Sequence, residues 1–470
     1  MRRNDIAVRL KQGGTLSLKE QVRTVFTLSV PAILEQVAYT MMSFIDTAMV
    51  GSLGRTATAS ISLVSSTVWL LGGINMAAAV GFSVQVAQYL GAGRQEDAQD
   101  VLRQAMLFNA AFGALLAALA FPLGRLLPWI LGAEEELRPL AGAYLTIVGL
   151  FLPFSLANNL YASVLRCCGN TKAPGIISLS MCLLNALFNF LLIFPGRTVQ
   201  LGGLSVFIWG AGMGVHGAAL GTGLSTAVTA LLQFSLAAFR EPSVRLRRGG
   251  RWRFSRRCMT NMVRLALPVA FDRVTMCMAQ IVQTAIITSL GAVSLAAHYI
   301  AVTAEAICYM PSSGVSFAAT TLVGQAIGAN RRDMAKRFAY LNAVLGFGMM
   351  LVTSTVLWLF APRLVSLFTP DREVLSLGAR VLRIVAFSEP LFGLSIIISG
   401  ALRGAGDTRA PFLINLASMW GVRIAVTLLY ARRFGLVGVW TAMTVELLVR
   451  GNIFLVRLLR GKWLGTKRLA

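Results

Sequence analysis

This sequence predicts an all-α integral membrane protein, with twelve transmembrane helices in two parallel-repeat six-helix lobes around a central cleft. Three observations carry that reading. Of the 470 residues, 56% are hydrophobic and only 13% charged, and the mean hydropathy of +0.69 lies outside the usual range of soluble domains. Apolar stretches of about 20 residues, the length that crosses a hydrocarbon core, recur along the whole chain with short polar joints between them. The chain also repeats itself at a constant shift of 237 positions, which carries Ile45–Gly54 onto Val282–Gly291 and Leu165–Pro174 onto Leu402–Pro411. The same shift takes Pro31 to Pro268, Gln88 to Gln325 and Pro153 to Pro390. Two such halves in an apolar chain point to a transporter.

The elements follow in order. Residues 1–23 are basic and polar with no apolar core of a signal peptide, so a cytoplasmic N-terminal segment is expected, with no cleavable leader. Ser17-Leu18-Lys19-Glu20 has the form of a capping box and starts the first helix. The first lobe, 24–238, holds spans 24–50, 59–90, 102–131, 139–165, 174–195 and 206–238. The third contains the unbroken apolar run Ala110–Phe121, which leaves no alternative to a buried helix. The second, more polar and Gly-rich, suits a wall against other helices or water. Gly210-Ala211-Gly212-Met213-Gly214-Val215-His216-Gly217 has no preceding strand and no P-loop lysine, so it reads as a turn with close helix packing. A basic linker, 239–261, joins the lobes. The second lobe, 262–460, holds spans 262–290, 295–328, 337–368, 377–402, 411–431 and 436–460, followed by a tail, 461–470. Pro311 has no counterpart at Ile74 and, with Gly314, is expected to bend the eighth span; the symmetric Pro153 and Pro390 read as scaffold.

A net charge of +24 would suggest nucleic acid in a soluble protein. Here the cations fall on alternate joints: at Arg94 and Arg103, at Arg166 and Lys172, and through the linker run Arg245, Arg247, Arg248, Arg251, Arg253, Arg256 and Arg257. They recur at Arg331, Arg332, Lys336 and Arg337, then at Arg403 and Arg409, and at both ends. The opposite joints carry Glu134, Glu135, Glu136, Asp371 and Glu373, with few cations beyond Arg432 and Arg433. The positive-inside rule then places both ends and the linker in the cytoplasm, beside anionic lipid headgroups, with no nucleic-acid partner. Six spans per half, an even number, makes the repeats parallel, with a cleft between lobes as the substrate route. The six cysteines, Cys167, Cys168, Cys182, Cys258, Cys277 and Cys308, show no metal-ligand spacing.

Ionisable groups inside a membrane are expensive and mark function. They are Glu35, Asp46, Asp272, Arg273, His298, Glu305, Glu389, Arg423 and Glu446. Asp46 lies midway along the first span and its repeat counterpart is the neutral Gln283, so the fold itself requires no charge there. Such a carboxylate either exchanges a proton or ligates Na⁺ with neighbouring oxygens, or it is held permanently by hydroxyls. Glu35 precedes it by 11 residues, within roughly 20° of the same helix face. Glu35 maps onto Asp272, so the acids either draw cations into a cavity or pair with an arginine such as Arg273. Asn185 and Asn189, one turn apart on the fifth span, and Thr222 on the sixth offer oxygens to a cation or act as glue between helices. His298 and Glu305 share a face of the eighth span, where the histidine either passes protons or serves structure.

With these residues in view the chain resembles the multidrug and toxic compound extrusion (MATE) family over nearly its whole length. The similarity rests on Pro31 with Asp46-Thr47-Ala48-Met49-Val50-Gly51, on Val323-Gly324-Gln325-Ala326-Ile327-Gly328-Ala329, and on Leu402-Arg403-Gly404-Ala405-Gly406-Asp407-Thr408. The resemblance implies no enzymatic activity and no cofactor. It implies export of cationic or amphipathic compounds in exchange for H⁺ or Na⁺, by a monomer in the cell membrane with no metal beyond Na⁺ at Asp46. It assigns ion coupling to Asp46, Asn185, Asn189 and Thr222, although some members have a second acid where Asn189 stands. A further glutamate deep in the seventh span, used by some branches, would fall near Met276, and none is present. The expected substrate cavity is lined by Glu35, Asp272, Glu305, His298 and Arg273. Two alternatives remain open at this point: a flippase for lipid-linked sugars, whose cavity would be strongly cationic, and a non-transporting membrane scaffold or receptor.

Overall fold

The computed structural model describes residues 17–201, 204–246, 252–466 and 469. The expectations for segment 1–16, for Arg247, Arg248 and Arg251 of the linker, and for Lys467, Arg468 and Ala470 lie outside the described residues. The first half runs α1 (Leu18–Gly51), α2 (Arg55–Gly91), α3 (Gln95–Ile130), α4 (Leu137–Leu150), α5 (Leu152–Cys167) and α6 (Lys172–Ile193). A two-stranded antiparallel hairpin, β1 (Pro195–Leu201) and β2 (Leu204–Ala211), leads into α7 (Gly214–Ser235), which ends in a π turn. The second half runs α8 (Arg256–Thr288), α9 (Ala292–Gly328), α10 (Arg332–Ser366), α11 (Arg372–Ala386), α12 (Glu389–Gly404) and α13 (Arg409–Leu416). A π segment, Ala417–Ile424, then joins α13 to α14 (Ala425–Arg460).

The duplication is written into the backbone. Gly54 (φ +102°) precedes α2 and Gly291 (φ +100°) precedes α9; Gly169 and Gly406 turn at φ +81° and +89°. Gly93 (φ +73°) recurs as Asn330 (φ +63°), asparagine being the non-glycine residue that best tolerates the left-handed region. The pairs α4–α5 and α11–α12 each bend, by 44° and 56°, at a break that puts Pro153 or Pro390 in the first turn of the second helix. Proline lacks the N–H that would carry the helix across that point, and its fixed φ suits a helix start. Counting each bent pair as one span, and dividing the run Arg409–Arg460 at the non-helical Gly435 (φ 57°, ψ −140°), gives the twelve expected spans among the described residues.

Local signals explain the ends. The Ser17 hydroxyl accepts from the Glu20 N–H at 3.3 Å and the Glu20 carboxylate accepts from the Ser17 N–H at 2.9 Å, so the capping box forms. The sixth span starts at Gly214, not near 206 as its hydropathy suggested. The preceding Val206-Phe207-Ile208-Trp209 is β-branched and aromatic, and it pairs as a strand. Phe207 and Trp209 stay exposed, and two open strand edges require water, so the hairpin stands outside the hydrocarbon layer. A strand does precede the glycine run, contrary to expectation, but the run itself is the expected tight turn: Gly212 and Gly214 have positive φ, and Gly217 leaves no room for a side chain against Leu192 of α6. Pro311 lies inside the eighth span's helix, where it removes one N–H from the backbone ladder without ending the helix. α9 is continuous through it, and Gly314 lets its backbone lie directly against Ile33 of α1.

Among the described residues the tightest contacts between the lobes fall in the halves of their helices nearest the chain ends. There Gly91 of α2 fits against the backbone of Gln325 and Gly328 of α9 against that of Gln88, a reciprocal contact across the pseudo-twofold axis. Gln88 Nε2 donates to the Gly404 carbonyl at 3.1 Å, and Gln325 Nε2 donates to the Cys167 carbonyl at 2.8 Å. Apolar burial adds little between helices in lipid, so close approach through small residues and bonds of this kind hold the seam. Val25 and Leu28 of α1 also pack with Val315 and Leu322 of α9 in one core that spans the boundary. Gly81–Gly91 and Thr321–Gly328 are buried throughout, whereas the far halves of α2 and α9 are mostly half-buried or exposed, as expected where the lobes splay apart toward the end opposite the termini.

Candidate coupling site and central cleft

Three helices of the first lobe place the predicted coupling residues around one point. α1 carries Asp46 in its splayed half; α6 presents Asn185 and Asn189 one turn apart; α7 presents Thr222. Asn189 Nδ2 donates to Asp46 Oδ1 at 2.5 Å and Thr222 Oγ1 donates to Asp46 Oδ2 at 3.4 Å. Asn185 Nδ2 donates to Thr222 Oγ1 at 3.1 Å, and Asn185 Oδ1 accepts from Asn189 at 3.3 Å, closing a ring of hydrogen bonds. Both asparagines are fully buried, while Asp46 keeps partial exposure. Gly221 makes this possible, because a Cβ there would collide with the Asn189 amide. Tyr144 of α4 and Cys182 of α6 stand within electrostatic reach of the carboxylate.

The chemistry of this donor set is open to two ions. Asn189 Oδ1 is buried and has no donor. Rotated to present their oxygens, the two amides, the Thr222 hydroxyl and the Asp46 carboxylate form an all-oxygen shell of the kind a hard monovalent cation requires. Alternatively a proton on Asp46 removes the charge and leaves the ring of neutral hydrogen bonds.

The residues expected to line a substrate cavity are placed differently. Glu35 pairs with Arg166 of α5 at 2.6 Å, and the guanidinium lies 4.2 Å from the Phe317 ring of α9. Asp272 is 3.6 Å from Arg403 of α12 and accepts from Asn415 at 2.9 Å. These pairs are related by the repeat and buried near the seam, so each acid is held by the arginine of its own lobe's Leu-Arg motif. Within the second lobe Glu305 lies beside Glu389, and His298 Nδ1 accepts from the Trp440 indole at 3.2 Å. Arg273 reaches across to the other lobe, against Gly73 and Met76 of α2.

Sequence reasoning missed a second-lobe network in which Glu446 binds Arg423 at 2.6 Å and Arg450 at 2.7 Å. The spacing of Glu446 and Arg450 signals a pair on one helix face. Nothing local points to Arg423, which the π segment before α14 turns inward.

The sequence profile of the MatE family matches residues 31–191 and again 268–429, two copies whose starts lie one repeat shift apart. The chain belongs to the MatE family. A probable multidrug resistance protein NorM of Thermotoga maritima is 26% identical over 456 residues, covering 95% of this chain and 94% of that one. A probable NorM of Geobacillus kaustophilus is 28% identical over 467 residues, covering 94% and 95%. Among solved structures, an outward-facing multidrug resistance MATE transporter of the MOP superfamily superposes with a TM-score of 0.87 at 20% identity, covering 98% of this chain and 99% of that one. This MATE protein is thus a multi-pass membrane efflux transporter with the family's two-lobe architecture.

Proposed function

We propose that this MATE protein is a secondary antiporter that exports amphipathic organic compounds in exchange for H⁺ or Na⁺. The observation that carries the proposal is the Asp46 ring, an ion-competent arrangement in one lobe whose repeat counterpart, Gln283, is uncharged. A proton arriving at Asp46 turns its charge-assisted bonds from Asn189 and Thr222 into weaker neutral ones, and Na⁺ draws the amide and hydroxyl oxygens to itself, so either ion changes the hold of α1 on α6 and α7. Because α1 also packs on α9, that change bears directly on the lobe contact, which is what alternating access requires. The cation-rich ends and linker support a cytoplasmic placement of the termini, and the splayed end then faces outward. Each chain contributes both walls of the cleft, which supports action as a monomer.

The test is dye export in proteoliposomes with Na⁺ and pH gradients imposed separately. Asp46→Asn keeps the shape of the ring and removes the charge. It is expected to abolish gradient-driven export while leaving equilibrium binding of the dye intact. Undiminished ion-driven export by this variant overturns the coupling role.

A further inference from the structure

We propose that Arg273 makes the floor of the central cleft an anion-recognising site, so that the favoured substrates are amphipathic compounds bearing a carboxylate or sulfonate, alone or beside a cation. This rests on the reading of the cleft as the substrate path and narrows its chemistry.

The first support is position. On the stripe of α8 that faces the first lobe, Met262 and Ala266 are pressed against Gly81 of α2, and Arg273 follows at Gly73, where an added Cβ would be 3.0 Å from the Arg273 Cβ. Gln280 and Thr284 continue the same stripe, within roughly 20° of Arg273, and both are exposed. Ser66 and Ser62 of α2, opposite them, are exposed as well. Arg273 therefore stands where the seam ends and the cleft begins.

The second support is charge. The carboxylates expected to give the cavity a negative potential have other neighbours: Glu35 is held by Arg166 and Asp272 by Arg403 and Asn415, while Glu305 lies beside Glu389 within electrostatic reach of Arg423 and Arg450, the two arginines that hold Glu446. Among the described residues no carboxylate is ion-paired with Arg273. Its Nη2 meets only the Met76 sulfur, at 3.3 Å, and its Nε is buried with no acceptor. Arg166 faces Glu35, Arg403 faces Asp272, and Arg423 and Arg450 share Glu446, so among these buried guanidinium groups Arg273 is the one without a carboxylate partner. A cation without a counter-ion is costly in a membrane interior, and a planar guanidinium fork with open positions fits an oxyanion. The adjacent Met76 supplies an adaptable apolar contact for the body of the ligand.

The experiment uses the purified full chain in neutral detergent and two probes, a rhodamine free acid and its methyl ester, identical except for the carboxylate. By fluorescence anisotropy the wild-type protein is expected to bind the acid about tenfold more tightly than the ester, the scale of one charge-assisted hydrogen bond. Arg273→Gln should lose that preference with ester binding unchanged, and Arg273→Lys should keep part of it. Competition on the wild-type protein gives a readout independent of any variant's folding: naphthalenesulfonate should displace the acid and naphthylmethylammonium should not. Equal binding of both dyes, or a preference that survives in Arg273→Gln, overturns the proposal. In proteoliposomes, gradient-driven export of the ester but not of the acid would defeat this inference alone. Failure to export either dye would defeat the antiporter reading beneath it.

Discussion

Glu35 and Arg166 show how much a single buried charge depends on its partner. Both side chains are almost wholly enclosed, with relative exposures of 3% and 6%, and their contact joins positions 131 residues apart. Removing one member strands the other, which typically costs about 3–5 kcal/mol, whereas replacing both with apolar residues is often near neutral. Glu35→Ala should therefore lower thermal stability far more than the double change Glu35→Met with Arg166→Met, as read by the melting of purified protein in detergent. Equal losses would mean that the pair contributes net attraction, not mutual neutralisation. No local pattern in the sequence indicates this pairing. The helix-face argument names no partner for Glu35, because Arg166 comes from the last turn of α5, far away in the sequence. The convergence of Asp46, Asn185, Asn189 and Thr222 was more legible, because a lone acid and an i, i+4 amide pair on apolar helices have few other groups to satisfy them.

At the level of the element, the contact between α6 and α7 sets the geometry of the ring. The carbonyl of Leu192 and the amide of Asn189 occupy the space that side chains at Gly217 and Gly221 would need. Gly221→Ala is expected to cost roughly 1–3 kcal/mol by overpacking and to displace Asn189 from Asp46, impairing ion-driven export more than dye binding. Export and binding reduced together would instead indicate general damage to the lobe. Helices of this kind were readable from hydropathy to within about eight residues at their ends, whereas the bends at Pro153 and Pro390, read as scaffold, were not foreseen. The hairpin was not readable as such, because Val206-Phe207-Ile208-Trp209 is as apolar as the span it precedes and differs only in its β-branched and aromatic character. Pro311 stands inside a continuous helix, so a proline in an apolar span does not by itself mark the end of that span.

For the whole molecule, the opening and closing of the lobes turns on the seam near the termini. The bonds from Gln88 to Gly404 and from Gln325 to Cys167 tie each lobe to the turn after the other lobe's bent span. Loss of both in Gln88→Ala with Gln325→Ala should favour states in which this end opens, at about 0.5–1.5 kcal/mol per bond. Cys167 and Cys168 report the change, since they are only 3% and 4% exposed in the present arrangement. Their alkylation by a membrane-impermeant maleimide from the termini side, followed by peptide mass spectrometry, is expected to rise several-fold in the double variant. Unchanged labelling would remove the glutamines from the gate.

The reciprocity of that seam bears on how such a molecule arises. Each half offers the other the same glutamine and the same glycine, which is the signature of an isologous interface between identical subunits. A single six-helix unit with these residues would meet a second copy of itself through the same bonds. Fusing two copies into one chain then preserves the interface while releasing every other position from symmetry. Asp46 in one half and Arg273 in the other are what that freedom permits: two specialised walls descended from one template, neither of which a true homodimer could possess alone.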